Sequence, residues 1–376
     1  MPAEPEPTVA HIAGVELPPE DVEVVPEPRV PAGLKFVYLV LGLGLFVVAL
    51  GLMRSGAAAL VPSLEGSVFT DNAWSTLGTG WLGACIVLSG SPVATSALTL
   101  LDGGAIDRAQ SFTMLAGSRL GAAFVVLVVG LVYAVRRLGT AGRRAPISIG
   151  ILSLTMTMVV YVPGAIVGFL LLEGGALDGF NAGTSPRIAS FTDTAFGWAV
   201  DLAGAVLPGW ALFPLGLAVL LVGFRLIDLV MPAVGGHRLE EGSSAWYTRK
   251  WPMFLAGCGV CLLTLSVSVA LTVLVPLVAS GRLRRANTLP YIAGANITTL
   301  ADTLVAAILL GNQDAVRVVV AVTVAVTVWT LLLLAFAYPL LRRFCLGVAR
   351  RALHSRPRLA AFVAALFAVP VALILV

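Results

Sequence analysis

Residues 80–119 read GWLGACIVLSGSPVATSALTLLDGGAIDRAQSFTMLAGSR, and residues 257–296 read GCGVCLLTLSVSVALTVLVPLVASGRLRRANTLPYIAGAN. The two stretches align without a gap, and their identical pairs include Gly80/Gly257, Ser89/Ser266, Ser91/Ser268, Thr95/Thr272 and Arg108/Arg285. A chain rich in Ala, Gly and Leu does not supply matching Ser, Thr and Arg pairs by composition alone. The alignment therefore predicts two copies of one structural unit.

The composition places this unit in a membrane. Of the 376 residues, 58% are apolar and 12% are charged, and the mean hydropathy is +0.96. A soluble domain has about half apolar and about a quarter charged residues, so a soluble enzyme is excluded. The net charge of +4 does not indicate a nucleic-acid partner, because the arginines form short clusters between apolar runs. We expect an all-α polytopic membrane protein in contact with the lipid bilayer.

The apolar runs predict the order of segments along the chain. Seven spanning helices are expected near 35–53, 109–135, 147–172, 209–231, 286–310, 316–341 and 359–376, with apolar segments interrupted by Ser and Thr between them. The predicted organisation is a disordered acidic and proline-rich tail (1–34), a first membrane repeat (35–172, hairpin about 77–101), an external loop with a broken or surface helix (173–208), a second repeat (209–341, hairpin about 252–280), and a basic cytoplasmic loop with a final helix (342–376).

The arginine clusters predict the orientation. By the positive-inside rule, the loops 136–144, 237–250 and 342–358 face the cytoplasm, while 173–193 and 54–72 face outside. Basic residues flank the segment 252–279 on both sides, so a span there would place one basic cluster outside. A re-entrant hairpin that enters from the cytoplasm and returns to it avoids this conflict. The equivalent segment 77–101 then opens to the outside, and the two repeats have inverted topology, as in many secondary transporters.

The hairpins carry hydroxyl groups at equivalent positions. Non-helical backbone inside a membrane is tolerated only where protein or a water-filled cavity covers it. Hydroxyl and backbone N–H groups at two such hairpins favour a substrate site formed by Ser89, Ser91, Thr95, Ser96, Ser266, Ser268 and Thr272. The alternative is that these side chains only pack helices or bond to the preceding turn.

Charged and polar residues also follow each hairpin. In the second copy, Asn296, Thr298, Thr299 and Asp302 interrupt an apolar run, and an intramembrane Asp is a functional candidate. Their oxygen atoms suit Na⁺, although Asp302 could instead pair with an arginine. In the first copy, Arg119 stands at the position equivalent to Asn296. It could attract an anion or neutralise Asp302, and the sequence does not separate these roles.

Several chemistries are not expected. The chain has no GxxxxGK[ST] motif for an ATP-driven pump. The CxxC formed by Cys258 and Cys261 has no partner pair or histidine, so it indicates core packing rather than a metal site. An intramembrane serine enzyme would need a His or Lys in mid-span as base, and neither is available, because His11, His237 and His354 fall in tails or loops. No cofactor is expected.

The sequence resembles the type II sodium–phosphate cotransporters and their bacterial relatives over roughly 38–135 and 210–335. The resemblance rests on GLMRSG (51–56), on the hairpins LSGSPVATS (88–96) and LSVSVALT (265–272), and on GSRLGAA (117–123) and GANITT (294–299) after them. Leu88 and Leu265 replace the family's glutamines, and Gly90 and Val267 replace its middle serines.

This resemblance implies Na⁺-coupled symport of inorganic phosphate across the plasma membrane, with Na⁺ as the coupling ion. Phosphate would bind the hairpin hydroxyls and Arg119, and Na⁺ would bind Asn296, Thr298, Thr299 and Asp302. Two alternatives remain: a transporter of another small anion or solute, and a membrane protein that kept the fold without transporting.

Overall fold

The computed structural model describes residues 32–64, 66–136, 144–180, 186–230, 248–264, 266–279 and 283–376. In these ranges the chain is helical and contains no strand. Residues 1–31, which form most of the predicted acidic tail, lie outside the described residues. Residues 137–143 and 231–247, in the two predicted cytoplasmic loops, also lie outside them. The helices are α1 (Ala32–Leu64), α2 (Ala73–Val87), α3 (Ser91–Asp102), α4 (Arg108–Ala122), α5 (Phe124–Arg136), α6 (Arg144–Glu173), α7 (Pro186–Val206), α8 (Gly209–Val230), α9 (Lys250–Thr264), α10 (Val267–Thr272), α11 (Leu274–Ala279), α12 (Thr288–Thr298), α13 (Leu300–Leu310), α14 (Gln313–Phe336), α15 (Tyr338–Ala352) and α16 (Arg356–Ile374).

Among the described residues, seven helical stretches are long and apolar enough to cross a membrane. They are Leu34–Leu64, Arg108–Val135, Ala145–Glu173, Gly209–Ile227, Arg285–Leu310, Gln313–Phe336 and Arg356–Ile374. Each overlaps one of the seven spans that the sequence predicts, because about 20 consecutive apolar residues are a strong signal for a spanning helix. The prediction of an all-α, multi-pass membrane protein is confirmed.

The first helix is longer than predicted. Residues 54–64, assigned to a polar external stretch, continue α1 without interruption. This end of α1 packs closely against other helices: a Cβ atom added to Gly56 would lie 2.2 Å from the backbone nitrogen of Phe213 in α8. Ala57 is fully buried. The small side chains of residues 54–64, which the sequence predicted to be external, therefore form a helix–helix contact surface.

The basic segment predicted as a cytoplasmic loop is also helical at its start. The preceding span α14 ends at Phe336, and α15 then carries Arg342, Arg343, Arg350 and Arg351. Leu341, Cys345, Ala349 and Ala352 are its buried residues, and their spacing places them on one face of the helix. This amphipathic pattern is the reason that the arginine-rich segment forms a helix.

The two aligned stretches have the same order of helices. Adding the offset that separates Gly80 from Gly257, 177 residues, to α2 gives the bounds of α9. The same offset places α3 on α10 and α11, and α4 on the segment that contains α12. Both long helices after the hairpins are also interrupted, after Ala122 in the first copy and after Thr298 in the second.

Glycines make the same close contacts in both copies. A Cβ atom on Gly80 would lie 2.1 Å from the carbonyl oxygen of Met114, and one on Gly257 would lie 2.0 Å from that of Tyr291. These are equivalent positions of the alignment. Gly117 and Gly294 likewise face the carbonyl oxygens of Leu77 and Phe254, each at 2.1 Å. Only glycine lets the two backbones approach this closely, as at helix interfaces in membranes generally.

The two copies also pack reciprocally around a central helix. α3 of the first copy packs on α13 of the second, and α10 and α11 of the second pack on α5 of the first. Between them, α6 contacts α4, α5, α12 and α14. This arrangement brings the interrupted parts of α4–α5 and α12–α13 into the buried middle of the molecule.

Candidate functional site

The interruption between α12 and α13 exposes polar groups in the buried interior. α12 ends at Thr298 and α13 starts at Leu300, so Thr299 lies between two helices. Carbonyl groups at a helix end lack their usual partner within the helix and must be satisfied by something else. At this break, the carbonyl oxygen of Thr299 accepts a hydrogen bond of 3.4 Å from Nη1 of Arg119.

Arg119 connects the first copy to the break in the second. It lies in the last turn of α4 and is 2% exposed. Its Nη1 donates to Oγ1 of Thr299 at 3.0 Å, and its Nη2 donates to Oγ1 of Thr303. Nη2 also lies 3.9 Å from Oδ1 of Asp302. This separation is compatible with the role in which Arg119 neutralises Asp302, and the role in which it attracts an anion is not tested by it.

Asp302 is held in place by its own helix. It lies in the first turn of α13 and is 7% exposed. Its Oδ1 accepts hydrogen bonds from the backbone N–H and the hydroxyl of Thr303, at 2.6 and 2.9 Å. Its Oδ2 is buried and has no hydrogen-bond partner among the described residues, and the same is true of Nε of Arg119.

Asn296 lies in the same buried region but is bound to α6. Its Nδ2 donates to Oγ1 of Thr157 at 3.0 Å, and its carbonyl oxygen accepts a 2.6 Å hydrogen bond from the hydroxyl of Tyr161. Sequence reasoning did not select Thr157 and Tyr161 as site residues. The signal that could have found them is their polarity inside the long apolar run of α6.

The first hairpin lies against the interrupted helix of its own copy. Leu88 adopts a left-handed conformation (φ 57°) at the end of α2. Gly90 follows, and a Cβ atom there would lie 2.9 Å from both the Ser118 carbonyl oxygen and the Ala122 side chain. The hairpin tip therefore packs against the last turn of α4, where Arg119 is located.

Apart from Thr299, which accepts from Arg119, the hydroxyl groups predicted to bind substrate or Na⁺ divide into two groups. Four make local hydrogen bonds: Ser96 to the Pro92 carbonyl (2.9 Å), Thr272 to that of Val269 (3.1 Å) and Thr298 to that of Gly294 (3.1 Å), while Ser266 caps α10 by accepting from the Val269 N–H (3.3 Å). These contacts are the helix-supporting roles of the alternative interpretation.

The second group has no such local role. Within the described residues, the side chains of Ser89, Ser91, Thr95 and Ser268 make no hydrogen bond. Ser91 and Thr95 are buried, and Ser89 and Ser268 are half-buried. Two of the four, Ser91 and Ser268, are equivalent positions of the two copies. These hydroxyls are available to a ligand.

The structure thus brings together Arg119, Thr299 and Asp302, with Thr303 as an additional member. Asn296, in α12, is instead hydrogen-bonded to α6, and among the described residues no hydrogen bond connects the hairpin hydroxyls to this cluster. Among the described residues, no group of three or more His, Cys, Asp or Glu side chains could hold a metal ion. The carboxylate, hydroxyl and carbonyl oxygens around Asp302 are instead the ligands that suit a hard monovalent cation.

Comparison with known proteins gives one result. Residues 219–369 match the sequence model of the Na⁺/Pi-cotransporter family. No curated protein and no solved structure matches the chain. The matched segment contains α9 to α15, and with them Asn296, Thr299 and Asp302. By this match, the segment 219–369 is similar to the Na⁺/Pi-cotransporter family, and the resemblance found in the sequence is confirmed for that segment.

Proposed function

We propose that this protein is a secondary active transporter that carries inorganic phosphate into the cell together with Na⁺, across the plasma membrane. The observation that carries the proposal is the pair Ser91 and Ser268, which occupy equivalent positions in the two hairpins and leave both hydroxyls without a partner in the described chain. A hydroxyl is a good donor to a phosphate oxygen. The similarity of residues 219–369 to the Na⁺/Pi-cotransporter family supports phosphate as the substrate and Na⁺ as the coupling ion.

Contacts at the two ends of α14 support inverted topology. At its N-terminal end, Asn312 donates to Oδ1 of Asp102 at 2.9 Å, and Asp314 lies 3.6 Å from Arg108. Asp102 ends the first hairpin and Arg108 starts α4, so this hairpin opens at that end. The start of the hairpin lies there too, because Gln110 of α4 donates to the Thr70 carbonyl at 2.7 Å.

The second hairpin opens at the opposite end of α14. Nζ of Lys250, at the start of α9, donates to the Leu334 carbonyl at 2.8 Å, and the hydroxyl of Tyr338 donates to the Ala286 carbonyl at 3.4 Å. Residues 250 and 286 flank this hairpin. Since α14 has 24 residues, its ends are about 36 Å apart at 1.5 Å per residue, the thickness of a membrane. Two hairpins that enter from opposite sides are the arrangement proposed here.

Charge supports the orientation. At the second hairpin's end, Arg284, Arg285, Arg342 and Arg350 line a cavity of 630 Å³. In the described chain, none of these four arginines pairs with a carboxylate. By the positive-inside rule this end faces the cytoplasm, and the Asp102–Arg108 end faces outside.

Coupling to Na⁺ meets the energetic requirement of phosphate uptake. Moving one net positive charge inward gains about 2.3 kcal/mol per 100 mV, so a divalent anion is driven outward by the same potential. At least two Na⁺ per divalent phosphate are needed to cancel its charge. We propose Thr299 and Asp302 as ligands for one Na⁺, with Asn296 beside them. Thr298 is a weaker candidate, because its hydroxyl already donates to the Gly294 carbonyl.

The test is uptake of ³²P-phosphate by proteoliposomes in Na⁺ medium and in medium in which choline replaces Na⁺. We expect uptake that depends on an inward Na⁺ gradient and is absent from protein-free vesicles. A panel of other small anions and neutral solutes tests the alternative substrate. Absence of Na⁺-dependent phosphate uptake, with uptake of another solute, would refute phosphate symport and support the alternative. Absence of all uptake would favour a non-transporting role.

A further inference from the structure

Arg119 and Asp302 form an incompletely satisfied ion pair. Their side chains are 1% and 6% exposed, so both charges are removed from water. A buried charge is stable only when it is paired and its remaining donors or acceptors are hydrogen-bonded. Here Nε of Arg119 and Oδ2 of Asp302 are both buried, and neither has a hydrogen-bond partner in the part of the chain that the structure describes. Buried polar atoms without a partner are uncommon and indicate a missing ligand or a functional role.

The contact between the two charges is also loose. Nη2 and Oδ1 are 3.9 Å apart, whereas a charge-assisted hydrogen bond between such groups measures about 2.7–2.9 Å. The carboxylate oxygen that faces Arg119 already accepts two bonds from Thr303. This is a pairing that another cation can displace.

The two unpartnered atoms require opposite kinds of ligand. Oδ2 is an acceptor on a carboxylate and would bind a cation, while Nε is a donor on a guanidinium and would bind an anion. Oxygens that would complete a Na⁺ site with Asp302 are those of Thr299 and Thr303. These oxygens now accept hydrogen bonds from Arg119. The guanidinium and a Na⁺ ion therefore compete for the same oxygens.

We propose that Arg119 and Asp302 are an exchange pair that couples the cation to the anion. Without Na⁺, Arg119 stays bound to Asp302, Thr299 and Thr303 and is not available to substrate. Na⁺ at Asp302 takes over these oxygens and releases the guanidinium, which then binds a tetrahedral oxyanion. The inference rests on the proposed function, since it assigns Na⁺ and phosphate to the two halves of one buried site.

Thermodynamic linkage makes the proposal quantitative. If Na⁺ raises the affinity for phosphate by some factor, phosphate must raise the affinity for Na⁺ by the same factor. Removing either member of the pair should abolish this coupling. Asp302→Asn removes the carboxylate that attracts Na⁺, so Na⁺ can no longer displace the guanidinium from Thr299 and Thr303. Arg119→Gln removes the competitor of Na⁺ and the ligand of phosphate.

The experiment measures binding to purified protein in detergent, with ³²P-phosphate and ²²Na⁺ as the two probes. In the wild type, we expect saturating Na⁺ to raise phosphate affinity about ten-fold or more, within the usual range of coupling. Asp302→Asn should bind phosphate with an affinity that no longer responds to Na⁺. Arg119→Gln should bind Na⁺ more tightly than the wild type when phosphate is absent, and should bind phosphate at least about ten-fold more weakly, the loss of one hydrogen bond to a charged group.

Two controls keep the result interpretable. Asp314→Asn removes a carboxylate from a partly exposed pair with Arg317 and should change neither affinity. If a single variant melts well below the wild type, the double variant Arg119→Gln/Asp302→Asn removes both buried charges, and its weak phosphate binding should not depend on Na⁺. Full Na⁺ dependence in this double variant would overturn the proposal.

The remaining outcomes separate the exchange pair from the transport function. Unchanged Na⁺ affinity in Arg119→Gln, or wild-type Na⁺ dependence in Asp302→Asn, would overturn the exchange pair while leaving phosphate symport intact. A wild-type protein that never binds phosphate would refute the proposed function. Tighter Na⁺ binding by Arg119→Gln would still support competition for the cation in that case.

Discussion

Replacing Ser91 and Ser268 by alanine should weaken the apparent affinity for phosphate without weakening the fold. Neither hydroxyl makes a hydrogen bond within the described chain, so alanine removes no internal bond at either position. A hydrogen bond to a charged ligand contributes about 1.5–3 kcal/mol. Each single variant should therefore need a phosphate concentration higher by roughly ten-fold or more for half-maximal uptake.

Ser96→Ala is the matched control. Ser96 lies five residues after Ser91 on the same helix, but its hydroxyl already donates to the Pro92 carbonyl. This variant loses a bond of the fold and none to substrate, so the phosphate affinity should stay near the wild-type value. The double variant of Ser91 and Ser268 should deviate from additivity by at least ~0.5 kcal/mol, because residues that share one ligand are coupled.

The assay is the concentration dependence of ³²P-phosphate uptake at a fixed Na⁺ gradient, with equal amounts of reconstituted protein. Melting curves in detergent show whether each variant is folded. Wild-type affinity in both single variants would refute a site shared by the two hairpins. An equal loss in Ser96→Ala would mean that packing of the hairpin, and not contact with substrate, sets the affinity.

Three further predictions test the architecture. Gly257→Ala places a Cβ 2.0 Å from a carbonyl oxygen and should lower the stability by about 1–3 kcal/mol. Gly259→Ala is the control, because a Cβ there has no neighbour within 4 Å and should not lower the melting temperature. Equal melting temperatures of the two variants would contradict the close contact. A cysteine at Gly179 should react with an impermeant maleimide from outside and one at His354 only after permeabilisation, and the reverse pattern would rule out the inverted hairpins. Burial raises the pKa of the Cys345 thiol to about 12. The thiolate fraction, and with it the rate of alkylation, should therefore be low at neutral pH and rise as the pH approaches that value. Alkylation of Cys345 at pH 7 as fast as that of the cysteine at His354 would contradict its burial.

The sequence predicted the spanning helices well because their signal is local. A bilayer requires a continuous apolar run, and each run is visible in the sequence without knowledge of its neighbours. The ends of α1 and the helical state of α15 could not be predicted in the same way. Ala57 and the buried face of α15 are helical because they pack against other helices, and the small or charged residues beside them are typical of loops when considered alone.

In the candidate site, too, the sequence predicted some features and the tertiary structure determined others. The sequence by itself identified Arg119 and Asp302, because a charge in an apolar run is costly and therefore conspicuous. It also identified the repeated hairpin hydroxyls. It did not determine which hydroxyls remain available to a ligand, since a local hydrogen bond such as that of Ser96 depends on side-chain geometry.

Only the tertiary structure decided that Arg119 reaches the break between α12 and α13. The guanidinium and Thr299 are 180 positions apart in the chain, and they meet because the two copies pack reciprocally around α6. The sequence allowed Arg119 to attract an anion or to neutralise Asp302. In the structure the Arg119 guanidinium lies beside the Asp302 carboxylate, because in the buried middle of the molecule each charge is more stable beside the other than alone.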